Sequence, residues 1–319
     1  MNRQGLLDQL RDVFRKPNNA VAQLILINAI AFVALNGIFG VFIAGLMEIR
    51  PVYVNFMNWI SLPSNLWLEP GATGPFLARQ PWSLFTYMFL HSGFFHILFN
   101  MLFLYVFGRI IQDYLGGGKV ISLYVLGGLL GGIVYIISYN TFPLFSDTQG
   151  IMVGASAGVF AIVMGAALYM PNYTINLLLI GPVRIKYIAL FYLVGFIFQV
   201  TGDNAGGELA HLGGALAGYL YISQMQRGRD LGRWIHVTLD WIKGLFKPKP
   251  KIKVTYRSSD TKSQRSTRAQ SAKSSTNTTS RSAKASEEEI NAILDKISDG
   301  GYDSLTKEEK QKLFNASRN

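Results

Sequence analysis

Hydrophobic and polar positions along this chain fall into long blocks, with little alternation. Six apolar runs, at 20–47, 94–114, 120–139, 152–170, 185–200 and 209–225, are separated by one long segment, 48–93, and otherwise by short joints rich in Gly and polar residues. Runs of about 17 to 25 apolar residues are the length a helix needs to cross ~30 Å of hydrocarbon. The pattern therefore predicts six membrane-spanning helices, the fifth being the shortest. The first run has no small-residue cleavage motif behind it and is too long for the apolar part of a signal peptide, so it reads as a retained signal anchor.

Composition agrees with that pattern. Half of the residues are hydrophobic, 15% are charged, and the mean hydropathy is +0.24; a soluble domain carries about 25% charge. The net charge of +11 is unevenly spread. Residues 1–226 contribute +2, residues 227–286 contribute +12, and residues 287–319 contribute −3. The basic character thus belongs to a tail, behind a body with almost no net charge. Cysteine is absent, which excludes disulfides, thiolate metal sites and a Cys nucleophile.

Charge also predicts orientation. Arg3, Arg11, Arg15 and Lys16 precede the first run, Arg109 and Lys119 flank the joint between the second and third, and Arg184 and Lys186 the joint between the fourth and fifth. The opposite joints, 140–151 and 201–208, contain no Lys or Arg. The positive-inside rule then puts both termini in the cytoplasm, as an even number of spans requires. The long segment 48–93, with Trp59, Trp67, Trp82 and five Pro, suits a loop lying in the outer interface.

The expected organisation is a cytoplasmic N-terminus (1–19), a six-span domain (20–226), a basic juxtamembrane segment (227–257), a linker (258–286) and a small helical unit (287–319). Leu231, Trp234, Ile235, Ile242 and Leu245 recur near helical spacing among Arg233, Lys243 and Lys247, predicting an amphipathic helix on anionic cytoplasmic lipid. Because this charge abuts a span, membrane lipid is its expected partner and nucleic acid is not. Ser, Thr, Lys, Arg and Ala dominate the linker, which has almost nothing to bury and reads as disordered. Thr306 and Glu309 form a capping-box pattern in the last unit, where two short helices flank a Gly300–Gly301 turn.

Polar residues are rare in the runs and stand out. Intramembrane ionisable groups are costly and by default functional. His91, His96 and Asn100 lie in HSGFFHILFN, Ser156 in GASAGVFAIVMG and His211 in ELAHLGGALAG. His96 and Asn100 are four apart and share one helix face. The second, fourth and sixth runs all start on the outer side, so a Ser, two His and an Asn from three helices converge at one depth. Gly154, Gly158, Ala161 and Gly165 form a small-residue stripe, and Gly214 and Gly218 form another. Such stripes let helix backbones approach closely in lipid. Packing of the fourth run on the sixth through them would bring Ser156 to His211.

With these residues in view, the chain resembles the rhomboid intramembrane serine proteases. The resemblance spans 20–226 and is carried by His91-x4-His96-x3-Asn100, by Gly154-Ala155-Ser156, and by Ala210-His211 with Gly214 and Gly218. It implies an all-α six-transmembrane-helix rhomboid-like bundle in a bacterial cytoplasmic membrane. It further implies a Ser156 nucleophile with His211 as base, a dyad without a carboxylate. His96 and Asn100, with the Ser156 N–H, would be the oxyanion hole, and His91 would be structural. The substrates implied are single-span membrane proteins, cleaved in or near the transmembrane segment. Neither metal nor cofactor is implied. Ala157 stands where the family usually has Gly, Phe160 where it usually has Tyr on the catalytic His, and Ser83 where it usually has Arg after Trp82.

Other readings are weaker. Gly154 to Gly158 also matches the α/β-hydrolase elbow, with Asp203 and His211 in that fold's order. That elbow requires a strand before the Ser, whereas here an apolar run opens. The zinc motif H-E-x-x-H is absent, and a transporter would want charges or broken helices at mid-membrane. A catalytically weak or inactive rhomboid-like protein that binds transmembrane clients is the alternative function.

Overall fold

The computed structural model describes residues 5–45, 49–66, 77–145, 148–178, 180–202, 204–246 and 287–316. Readings that involve Arg3, Trp67, Asp203, Lys247 or the linker 258–286 concern residues outside this set. The chain divides into two compact units, Met1–Pro250 and Lys251–Asn319.

In the first unit a short amphipathic helix, α1 (Leu6–Arg15), precedes α2 (Ala20–Phe32), which runs on as a π-helix through Val33–Gly45. Over its described residues, the 48–93 region forms more regular structure than expected of an interfacial loop. It contains α3 (Arg50–Ile60), the strand β1 (Leu62–Pro63), a 3₁₀ turn at Leu77–Arg79, α4 (Ser83–Thr86) and a second 3₁₀ turn, Tyr87–Phe89. Trp82 Nε1 donates to the Trp59 carbonyl at 2.9 Å, and the two indoles lie 4.7 Å apart, tying this region together.

The long helices follow. α5 (Phe94–Leu115) and α6 (Gly117–Thr141) meet at Gly116, whose φ of +89° makes the sharp reversal. After β2 (Ile151–Met152) come α7 (Ser156–Tyr169), the hairpin β3 (Thr174–Leu177) and β4 (Gly181–Arg184), α8 (Ile185–Gln199), α9 (Ala205–Gln226) and α10 (Arg233–Phe246). β1 and β2 pair antiparallel, Leu62 opposite Met152.

Three described helices are long and apolar enough to cross a membrane: Ala20–Val41, α5 and α6. α7 and α8 are apolar but shorter. The 152–170 run was expected to be helical throughout; its helix begins only at Ser156, because Ile151 and Met152 are held extended against β1 and Gly154 takes φ +140°. Fourteen residues at 1.5 Å each cover about 21 Å, less than the ~30 Å of hydrocarbon.

α6, α7 and α9 form the tightest packing, and Leu123, Tyr124, Ile162, Tyr221 and Ile222 there are fully buried. The outer faces of α5 and α8 expose Phe94, Phe95, Phe99, Phe191 and Phe198. Large apolar patches of this kind are rare on soluble proteins. Some interior polar groups are paired in chains: Asn28 Nδ2 donates to the Tyr124 hydroxyl at 3.1 Å, which donates to the Met88 carbonyl at 2.7 Å. Without partners, groups at that depth would each cost several kcal/mol (roughly) in lipid.

The small residues pack somewhat differently from the two facing stripes expected. A Cβ on Gly214 or Gly218 would strike the carbonyl oxygen of Ala157 or Ala161, so α9 rides on those two carbonyls. Gly158 faces Tyr124 of α6, and Gly165 lies between Leu123 and Ile222. The α7 stripe thus serves two neighbours because its small residues occupy more than one face of the helix. His236 has Nε2 3.0 Å from Ser122 Oγ and so links α10 to α6.

The second unit contains α11 (Glu287–Gly300), a 3₁₀ turn at Tyr302–Ser304 and α12 (Lys307–Ala316). Glu309 Oε2 accepts the Thr306 N–H at 2.8 Å, and the Glu309 N–H donates to Thr306 Oγ1 at 3.3 Å, which is the reciprocal capping box. Lys296 Nζ adds a contact to Glu309 at 3.0 Å. The Thr306 N–H first, then Lys296 and the Thr306 hydroxyl, hold the Glu309 carboxyl at about 2. A depressed carboxylate stabilises above its unfolded value and loses that contribution as pH falls toward the folded one. Amide protection in α12 of the full chain is therefore expected to decline from about pH 4.5 to about 2. Glu309→Gln should remove this dependence in hydrogen exchange; equal pH dependence in wild type and variant would refute the assignment.

Candidate active site

The backbone leading into α7 sets Ser156 in place. The Gly154 N–H donates to the Tyr87 carbonyl at 3.0 Å, anchoring the approach to α7. A Cβ at Gly154 would stand 2.9 Å from His96 Nε2, so both its φ and its surroundings demand glycine. Ser156 is the first residue of α7, where backbone N–H groups have no helical acceptor.

His211 lies in the second turn of α9, and its Nε2 is 2.8 Å from Ser156 Oγ. The close approach of α7 and α9 over Gly214 makes this distance attainable. Phe160, one turn beyond Ser156, stands 5.1 Å from the imidazole ring, and Phe196 of α8 stands 4.8 Å from it. Two aromatic neighbours restrict rotation of the ring.

His96 enters from α5. Its Nδ1 accepts the Ser92 N–H at 3.4 Å and lies 3.0 Å from Ser92 Oγ. An Nδ1 that accepts leaves the proton on Nε2 of the neutral ring, and Nε2 is the atom beside Gly154. The ring therefore offers an N–H close to the Ser156 hydroxyl. Asn100, one turn further on, bonds its Nδ2 to the His96 carbonyl at 2.9 Å, leaving a second amide hydrogen. His91 is fully buried, edge-on to His96 with ring centroids 5.1 Å apart. Burial, and then His96, push the His91 imidazole down to about 4 in the loop before α5.

These groups share one cavity of about 900 Å³. Ser156, His211, His96 and Asn100 line it beside Phe95 and Phe99 of α5. Polar groups converging in a large apolar cleft are the common form of an enzyme site. No group of three or more His, Cys, Asp or Glu able to hold a metal occurs among the described residues.

Ala157 is 2% exposed, and its methyl packs against Gly131 of α6. The extra carbon relative to Gly is accommodated where Gly131 has no side chain.

One residue beside His211 was not among the expected site residues. Glu208 Oε2 lies 3.2 Å from His211 Nδ1, and Glu208 as a whole is 8% exposed. The signal was present in the sequence as an acid three residues before the His on the same helix face.

Comparison with known proteins supports the resemblance. Residues 78–227 match the profile described as Rhomboid domain, and residues 279–319 match a profile described as a family of unknown function (DUF6576). The chain is 32% identical over 185 residues to RHOMBOID-like protein 5 of Arabidopsis thaliana, covering 56% of this chain and 54% of the relative. It is 30% identical over 158 residues to RHOMBOID-like protein 12, mitochondrial, of the same plant, covering 46% and 47%. It is 35% identical over 96 residues to the rhomboid protease GlpG of Salmonella newport, covering 30% and 31%. Each alignment spans less than two thirds of the relative's own length. Residues 78–227 thus match a rhomboid domain, and this mostly helical, multi-pass integral membrane chain is similar to rhomboid family proteins over about half of its length.

Proposed function

We propose that the chain is a serine endopeptidase that cleaves single-span membrane proteins in or near their transmembrane segment, with Ser156 as nucleophile and His211 as general base. The observation that carries this reading is the 2.8 Å contact between Ser156 Oγ and His211 Nε2 inside the cavity. A serine hydroxyl is a weak nucleophile until an adjacent base takes its proton.

In the reaction, Nε2 removes the Oγ proton as Oγ attacks the scissile carbonyl carbon. The negative charge that develops on the carbonyl oxygen is met by the Nε2–H of His96, the N–H of Ser156 and the free amide hydrogen of Asn100. Such donors supply roughly 3 kcal/mol each to the transition state. The imidazolium then protonates the leaving amine, and water repeats the sequence on the acyl-enzyme. The bond cleaved must be out of helical geometry, because a helix shields its own carbonyls by hydrogen bonding.

The chain crosses the membrane six times in this reading, with both termini in the cytoplasm and the cavity open to the outer side. The charge asymmetry of the joints supports that orientation. α10 lies along cytoplasmic lipid, with Trp234, Val237, Trp241 and Leu245 exposed to receive it.

Incubating the purified protein with a single-span reporter in detergent tests the reading. Wild type is expected to produce two fragments and Ser156→Ala none. A folded wild type that binds the reporter without cleaving it would replace this reading with that of a client-binding protein.

A further inference from the structure

Resting on the proposed Ser156–His211 chemistry, we infer that Glu208 is a positioning residue that accepts the Nδ1–H of His211 and thereby turns the Nε2 lone pair toward Ser156. The two ring nitrogens of His211 make two different contacts, Nε2 to Ser156 Oγ at 2.8 Å and Nδ1 to Glu208 Oε2 at 3.2 Å. Which nitrogen of a neutral imidazole carries the proton is decided by what the other atom bonds. Phe160 and Phe196 restrain the plane of the ring but have no means of choosing the tautomer. A carboxylate acts only as an acceptor, so it requires a hydrogen on Nδ1 and leaves Nε2 free to act as base.

Glu208 is built into this position. Its side chain is 10% exposed, so it is not a solvated residue on the helix surface. It occupies the first turn of α9, where the helix dipole favours negative charge. Asn204 Nδ2, one turn earlier, approaches its other oxygen Oε1 at 3.4 Å. The three-residue spacing to His211 holds both groups on one helix, so their register does not depend on the packing of another helix.

The proton count closes without Glu208 being protonated. The Oγ proton moves to Nε2 as the carbon–oxygen bond forms, and the imidazolium keeps its Nδ1–H on Glu208. Nε2–H then passes to the leaving amine as the carbon–nitrogen bond breaks. Glu208 stabilises the charged ring throughout and exchanges no proton.

The test uses the full chain in detergent with Glu208→Gln and Glu208→Asp. A Gln amide can donate to Nδ1 and select the wrong tautomer; the equivalent change in soluble serine protease triads costs about 10⁴-fold in kcat. Glu208→Gln is expected to lower kcat on the reporter, and the rate of Ser156 labelling by a fluorophosphonate, by at least about tenfold. KM should stay within about twofold, as for an interaction made only in the transition state. Glu208→Asp should recover part of the loss. Unchanged kcat in Glu208→Gln, or equal loss in both variants with a lowered unfolding midpoint, would overturn the inference. Nitrogen-15 spectra of His211 provide a readout independent of activity. Nδ1 is expected to be protonated in wild type and Nε2 in Glu208→Gln. Identical spectra would overturn the positioning role, whereas a wild type with the expected spectrum but no labelling or cleavage would overturn only the protease reading.

Discussion

Replacing His211 by alanine is expected to slow both reporter cleavage and fluorophosphonate labelling of Ser156 by at least about 10⁴-fold. In serine proteases, loss of the nucleophile or its base costs about as much as loss of the whole catalytic set. The geometry here leaves no substitute base of the same kind. His96 is the other cavity histidine, but its Nδ1 is occupied by the Ser92 N–H and its Nε2 carries the proton. It can donate to an oxyanion and cannot accept from Oγ. His96→Ala should accordingly cost less, on the order of 10² to 10³ in kcat, as for the removal of one oxyanion donor. Measuring the pseudo-first-order labelling rate separates the two cases without knowledge of the physiological substrate. Labelling of His211→Ala within tenfold of wild type would mean that Ser156 is activated by something other than this imidazole.

The sequence carried the meeting of Ser156 and His211 because membrane topology is a coarse constraint. Runs that start on the same side put their first turns at one depth, whatever the details of packing. The same coarseness hid three features. Apolar composition does not separate a lipid-spanning helix from an extended pair of residues, so the start of α7 was placed too early until the positive φ of Gly154 was seen. Glu208 does not stand out in the sequence because its value depends on where its carboxylate points, and burial and a 3.2 Å contact are tertiary facts. The methyl that Ala157 carries where the family usually has Gly finds its room at Gly131, on a helix that no local pattern connects to it. In each case the missing information was a direction in space, while the residue types themselves were in plain view.

That last contact makes a discriminating prediction about the core. A methyl at Gly214 would overlap the Ala157 carbonyl oxygen and stand 2.7 Å from its carbon. A methyl at Gly131 would stand 2.5 Å from the Ala157 Cβ and 2.7 Å from the Ala210 oxygen. Overpacking a close-packed interior costs about 1–3 kcal/mol, and more when rigid groups must move. Backbone is the rigid partner in the first case, so Gly214→Ala must displace α7 itself, and Ser156 is the residue next to Ala157. It is expected to show the larger drop in unfolding midpoint and to lose most labelling, because the 2.8 Å contact opens. Gly131→Ala meets a side chain in part, so adding Ala157→Gly should restore some of its stability, with a coupling above about 0.5 kcal/mol in a double-mutant cycle. The same Ala157→Gly change should leave Gly214→Ala unrescued, since the obstructing carbonyl remains. Equal rescue of both would show that α9 does not rest on the Ala157 backbone, and would remove the packing basis for the approach of His211 to Ser156.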